Sequence, residues 1–402
     1  MTGELKGRSP FNPGQPVPVE LFTGRRAEID RLLQRGVGQT ALGKPTAFFV
    51  QGEYGIGKSS IAHFLQTIAQ RDHGLIGIYT SLGGARTLTD LATVVLEGTL
   101  NSGLYDPTWR EQILNWLAKY IGKQDLFGFG VNLEAIKTDA PKLASAQQLL
   151  TFLREVFNRY RDVKKGKGIF LVLDEINGLA AVPEFSPFLK SLIDSNAVSR
   201  EPVPLLLMLC GTEERRKQLI ECHPPTDRLF DVVDIHPMSE PEMTDFFRKA
   251  FDSVGIDIEP GAMRIMTLAS AGFPKIMHTV GENVFWLVKD KRVDEPTAMK
   301  GVLDASREVG RKFVDAQIYD AIQSKDYQSI LKKLADDLGP LREEFTRKDL
   351  AAKLSDSEKR KLDNFLQKLK KLSVIKPMDT PGSYRFRIKM VQTYIWLRSF
   401  EK

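Results

Sequence analysis

Residues 52 to 59 read Gly52-Glu53-Tyr54-Gly55-Ile56-Gly57-Lys58-Ser59. Three glycines, a lysine and a hydroxyl at this spacing can hold a chain of phosphates. Glycine lets successive backbone N–H groups turn inward around an anion, with no side chain in the way. Lys58 can reach the β- and γ-phosphates, and Ser59, followed by Ser60, can ligate magnesium. The flanks fit as well. Ala47-Phe48-Phe49-Val50 is a short apolar run, and Ile61, Phe64, Leu65 and Ile68 recur with helical period. A helix that starts at the loop points the positive end of its dipole at the same anion. The expectation is a nucleoside triphosphate site on residues 52–60.

A second group of residues can complete such a site. Ile169-Phe170-Leu171-Val172-Leu173-Asp174-Glu175 is an apolar strand that ends in two carboxylates. Such a pair is costly at the end of a buried strand unless a cation or solvent meets it. Asp174 is expected to hold magnesium through water, and Glu175 to orient and polarise the attacking water. A further strand ends Leu209-Cys210-Gly211-Thr212. In the sheet it should lie between the other two, which brings Thr212 near the γ-phosphate. Two roles are open for Thr212: sensing phosphate or holding the lytic water, and capping the helix that begins at Glu213.

These groups need a scaffold that brings strand ends together. Apolar runs at residues 47–50, 75–79, 169–173, 205–210 and 232–236 alternate with helical patterns, which predicts a parallel α/β sheet covered on both faces. Residues 1–19, with Pro10, Pro13, Pro16 and Pro18, read as an extended arm. The nucleotide-binding core is expected over 20–238, with an insertion at about 101–142. Within that insertion, residues 127–133 alternate like a β-ribbon of unassigned role, either a DNA-facing hairpin or a partner contact. Ser239 and Glu242 form a capping box that opens a helical region over 239–320.

The last unit, 321–402, is predicted as helices at 327–338, 347–354 and 356–372, then two strands joined by the turn 379–383. Charge separates it from the rest. From Lys325 to Lys402 there are 19 Lys and Arg against 11 Asp and Glu, whereas the preceding residues hold 38 against 40. The whole +6 excess therefore belongs to the C-terminal fifth, which points to a polyanion. Lys361, Lys368 and Lys371 are candidates for phosphate contacts with duplex DNA. A solvated lysine-rich helix in a protein-contact module stays open as the alternative.

Composition narrows the class. With 402 residues, 42% hydrophobic and 27% charged, the chain suits a multidomain globular protein. Its longest apolar stretch, 203–210, suits a buried strand and is too short to span a membrane. Only Cys210 and Cys222 occur, which excludes a disulfide framework and fits a reducing cytoplasm. Cys222-His223 has no second ligand pair at a spacing that would hold a metal.

In order along the chain, Phe22-Thr23-Gly24-Arg25-Arg26-Ala27-Glu28, the glycine-rich loop, Asp174-Glu175 and the Thr212 strand end resemble the AAA+ ATPases. More narrowly, they resemble the clade of origin-recognition initiators, helicase loaders, transposition regulators and STAND-type ATPases. The resemblance covers residues 15–400 and implies a P-loop three-layer core, an all-helical lid and a C-terminal winged helix. ATP and Mg2+ are the implied cofactors, and ATP-bridged self-assembly the implied architecture. Phe22 and Gly24 would line the adenine pocket, although Phe22 equally suits a core staple. Arg228 matches an arginine that acts across a subunit interface, with Arg215 and Arg216 as competitors. Lys275, in Ala271-Gly272-Phe273-Pro274-Lys275, matches the sensor-2 turn, where arginine is commoner. A STAND-like ATPase that recruits a protein partner is the alternative function.

Overall fold

The apolar runs become five parallel strands in the computed structural model, which describes residues 6–14, 22–102, 107–120, 145–310, 321–322, 324–338, 344–372, 374–387 and 389–398. The chain divides into two compact units, residues 16–236 and residues 1–15 with 237–402.

In the first unit the strands are β1 (Thr46–Gly52), β2 (Leu75–Ser81), β3 (Gly168–Asp174), β4 (Leu205–Gly211) and β5 (Asp231–Ile235). Their order is β2-β3-β4-β1-β5, so β4 lies between β1 and β3 as expected. Every residue of β3 and β4 is buried, which is why those segments read as unbroken apolar runs. β5 closes one edge and carries the exposed Asp234. The opening helix Arg26–Leu32 continues through a π turn, Leu33–Gly38, into Gln39–Ala41.

Part of the expected insertion belongs to the core of this unit. In the helix Pro107–Tyr120, Trp109, Ile113 and Trp116 follow the i, i+4, i+7 spacing of one face and are buried. Trp116 stacks on Phe152, and Trp109 meets Tyr160 edge-on, both in the helix Ala146–Lys164. The ribbon expected at 127–133 lies outside the described residues.

The second unit opens as predicted. The Glu242 carboxylate accepts from both the Ser239 amide and hydroxyl at 2.8 Å, at the start of the helix Glu240–Asp252. The helices Pro260–Ser270, Pro274–Leu287 and Glu295–Val309 follow. Asp257–Ile258 and Arg292–Val293 pair as a short parallel ladder, too brief to leave an alternation in the sequence. The N-terminal segment packs into this unit: Phe11 is 3% exposed, against Phe246, Phe247, Phe251 and His278. Gly281 makes room for it, since a Cβ there would lie 2.3 Å from the Phe11 ring.

The C-terminal segment runs helix Lys325–Leu338, strand Glu344–Thr346, helix Arg347–Ala351, helices Asp356–Lys359 and Leu362–Lys371, strands Ile375–Pro377 and Ser383–Phe386, and helix Lys389–Arg398. The middle strand of its antiparallel sheet is Ser383–Phe386. Leu334, Phe345, Leu350, Phe365, Leu369 and Phe386 share one core. Two features differ from the expectation. The single helix expected over 356–372 is interrupted at Arg360 and Lys361, because the capping box of Ser355 and Glu358 begins one short helix and Leu362 begins another. The strand Glu344–Thr346 is unexpected, since three residues show no period.

Candidate active site

The glycine loop joins β1 to the helix Lys58–His73. Gly55 (φ 76°) and Gly57 (φ 101°) take left-handed backbone that side chains disfavour, and the helix starts directly after Gly57. Ile56 is 1% exposed and anchors the loop from below. Glu53 and Gly55 are half-buried, and Tyr54 is exposed. Lys58 folds back over the loop, donating to the carbonyls of Gly52 at 2.9 Å and Glu53 at 2.8 Å. Burial lowers its affinity for a proton, while the charges of Cys210, Asp174, Glu175 and Glu53 raise it. The Cys210 thiol is itself buried and pushed well up, so the carboxylates supply the field that Lys58 meets at neutral pH.

Asp174 ends β3 and is 2% exposed. One carboxylate oxygen accepts the Glu175 amide at 2.8 Å, and the other accepts the Tyr79 hydroxyl at 2.5 Å. Burial first, then the Asp174 charge, pushes the Tyr79 phenol far above its ordinary range, so it remains a donor. Glu175 has φ 56°, an uncommon conformation for a residue with a side chain, and its carboxylate reaches solvent. Ser81 Oγ donates to it at 3.1 Å. The two carboxylates, adjacent in sequence, therefore differ in kind: one is enclosed and hydrogen-bonded, the other open to water.

These residues fit a magnesium nucleotide. The Ser59 hydroxyl and the Asp174 carboxylate are hard oxygen donors, as magnesium prefers. Among the described residues, no cluster of three or more His, Cys, Asp or Glu could hold a metal ion. Magnesium at a nucleotide takes most of its other ligands from phosphates and water, so a sparse protein set suits it.

The remaining candidates are placed as follows. Thr212 caps the helix Glu213–Cys222, its hydroxyl accepting the Arg215 amide at 3.4 Å, so of its two open roles the structure engages the cap. Arg216 is held by Asp227, and Arg215 donates to Gln218 at 2.8 Å. Arg228 ends the 3-10 turn Pro224–Arg228 with its side chain exposed. Phe22 stacks on Phe64 of the loop helix, centroids 4.5 Å apart, and Gly24 (φ 75°) turns the chain behind it. Lys275 lies in the first turn of the helix Pro274–Leu287, in the unit containing residues 237–402. In that unit Lys361 pairs with Asp326, whereas Lys368 and Lys371 form no ion pair among the described residues.

Two residues escape a reading of the sequence alone. The Arg25 guanidinium is 5% exposed and donates to the carbonyls of Ile56, at 3.0 Å, and His236, so it ties the glycine loop to the end of β5. Its only signal is its place after Gly24 in the opening motif. Tyr79 looks like one more strand residue, because nothing local marks it as the neighbour of Asp174.

Comparison with known proteins agrees with this geometry. Residues 21–219 match the AAA ATPase domain family. A Walker-type ATPase of Pyrococcus abyssi is similar in fold, with a TM-score of 0.56 and 19% identity over 93% of this chain and 96% of that one. The Aeropyrum pernix ORC2 protein, in ADPNP and ADP complexes, gives 0.56 at 13% identity over 93% of each chain. CDC6p from Pyrobaculum aerophilum gives 0.50 at 12% identity over 96% of each. No curated protein sequence matches the chain.

Proposed function

We propose, from the match of residues 21–219 to the AAA ATPase domain family, an ATP-hydrolysing switch or remodeller that assembles through ATP-bridged subunits and binds duplex DNA through its C-terminal end. The observation that carries the reading is that Lys58, folded back over the loop that follows β1, lies at the same end of the parallel sheet as Asp174 and Glu175, which follow β3. Backbone N–H groups of residues 53–58 bind the phosphates, and Lys58 exchanges its two carbonyl partners for β- and γ-oxygens. Ser59 and, through water, Asp174 would hold magnesium, which would neutralise phosphate charge. Glu175, exposed beside them, orients and polarises water. Arg228 reaches the site of a neighbouring subunit. The complexes of the ORC2 neighbour with ADPNP and ADP support an adenine nucleotide. Two free cysteines, one of them exposed, fit a cytoplasmic setting.

The DNA part of the reading draws support from the C-terminal segment. Its order of helices, strands and hairpin turn is compatible with a winged helix-turn-helix, in which Leu362–Lys371 would be the recognition helix. Asn364, Gln367 and Lys371 recur at helical spacing on it and are all exposed. One observation favours the alternative, a module that contacts protein: Lys361, Lys353, Lys333, Arg347 and Arg385 are already paired with carboxylates.

The two readings separate by salt. Affinity for duplex DNA, measured at several salt concentrations with ATP present, is expected to fall steeply as salt rises. The double substitution Lys368→Glu and Lys371→Glu should reduce the log–log slope by about 0.9 for each phosphate no longer neutralised, equally for unrelated sequences. Lys361→Glu should do less, because Asp326 already holds that lysine. Wild-type protein that shows no salt-dependent binding is a protein-contact ATPase.

A further inference from the structure

Tyr79 has no role in the proposed hydrolysis, yet it touches the centre of the site. It sits on β2 beside β3, opposite Val172, two residues before Ser81 pairs with Asp174. Its hydroxyl donates to Asp174 Oδ2 at 2.5 Å, and the Ser59 side chain lies beside the same phenol oxygen. One side chain thus bonds Asp174 and lies next to Ser59, the two residues proposed to hold magnesium, which come from different elements. The ring is itself fixed. It stacks on His63, centroids 4.0 Å apart at 24°, and His63 lies one helical turn beyond Ser59 on the loop helix. Asp174 is enclosed, and the Tyr79 hydroxyl and the Glu175 amide each engage one of its oxygens. Each oxygen keeps a lone pair, so a water on the metal can still be met. Outer-shell donors of this kind orient ligands and govern how well a metal is held.

We propose that Tyr79 is a positioning residue for the magnesium site, its hydroxyl aligning the Asp174 carboxylate toward the cation. The inference rests on the reading that Ser59 and Asp174 hold magnesium. It assigns to Tyr79 control of metal affinity, separate from nucleotide affinity.

The test uses the full chain and Tyr79→Phe, which keeps the ring against His63 and removes only the hydroxyl. Equilibrium binding of a fluorescent ATP analogue is measured in EDTA and across a magnesium titration. Metal-free affinity is expected to stay within about twofold of wild type, while half-saturating magnesium rises about tenfold or more, within the roughly 10–100-fold range for removal of outer-shell partners. Manganese bound to the protein–nucleotide complex, followed by electron paramagnetic resonance, should weaken in parallel. Superimposable metal titrations overturn the assignment. So does a loss of metal-free affinity with an unchanged magnesium midpoint, which makes the hydroxyl a support for the loop alone. A wild type whose affinity ignores magnesium overturns the metal reading itself, and the Tyr79 role with it.

Discussion

Asp174 and Glu175 are neighbours in the chain, but the structure gives them opposite surroundings. Asp174 is enclosed at the end of β3 with both oxygens engaged, whereas Glu175 turns out through a left-handed backbone into water. On the proposed reading the first holds a cation and the second activates water. Glu175→Gln is therefore expected to bind ATP as wild type does and to hydrolyse it at least about 10²-fold more slowly, the usual loss when a general base is removed. Single-turnover hydrolysis beside equilibrium binding checks this. Turnover near the wild-type rate would assign the water to another group. Arg25 acts at the same scale on the other side of the loop, where its guanidinium satisfies carbonyls from two elements.

Among the elements, the N-terminal segment and the helices it packs on form a continuous apolar contact. Phe11 enters between helices Glu240–Asp252 and Pro274–Leu287, and the Asn12 amide donates to His278 Nδ1 at 3.1 Å. That bond puts the imidazole proton on Nε2, which finds no hydrogen-bond partner among the described residues. Burial accordingly lowers the His278 pKa to about 4, from an ordinary 6.5. The folded state thus binds fewer protons than the unfolded state between these values, and stability falls as pH drops through that window. Fully expressed, the difference is about 3 kcal/mol. We expect the thermal midpoint to decline from pH 7 to pH 4.5, and His278→Gln, which can still accept the Asn12 amide, to flatten the decline. An equal slope in both proteins would place the effect elsewhere.

For the whole molecule, the open question is whether one chain completes its own site. Arg215 and Arg216 are engaged by Gln218 and Asp227 of the same chain, and Arg228 is exposed at the end of its turn. This leaves Arg228 as the proposed contribution to a neighbouring subunit. Arg228→Ala should bind ATP normally and lose roughly 10³-fold in turnover where the arginine operates fully. Mixed with Lys58→Ala subunits it should regain activity, because each subunit supplies what the other lacks. Turnover measured over a range of mixing ratios decides it: full activity of Arg228→Ala alone, with no effect of mixing, rejects the trans role.

Much of this is written in consecutive residues. A glycine loop needs glycine at fixed places, a buried strand needs an unbroken apolar run, and a capping box needs Ser and Glu three apart. The five strands, the loop helix, the Asp174-Glu175 strand end and the Ser239 cap are legible for that reason, as is the position of β4 beside β1 and β3. Contacts made through space leave no such trace. Tyr79 reaches Asp174 across 95 residues, Arg25 reaches the His236 carbonyl across 211, and Asn12 reaches His278 across 266. Lys361 looks like a cation facing a partner until folding brings Asp326 to it. Composition and periodicity report what one segment needs from its surroundings. Which segment meets that need depends on strand order, register and packing, and only the tertiary structure decided those.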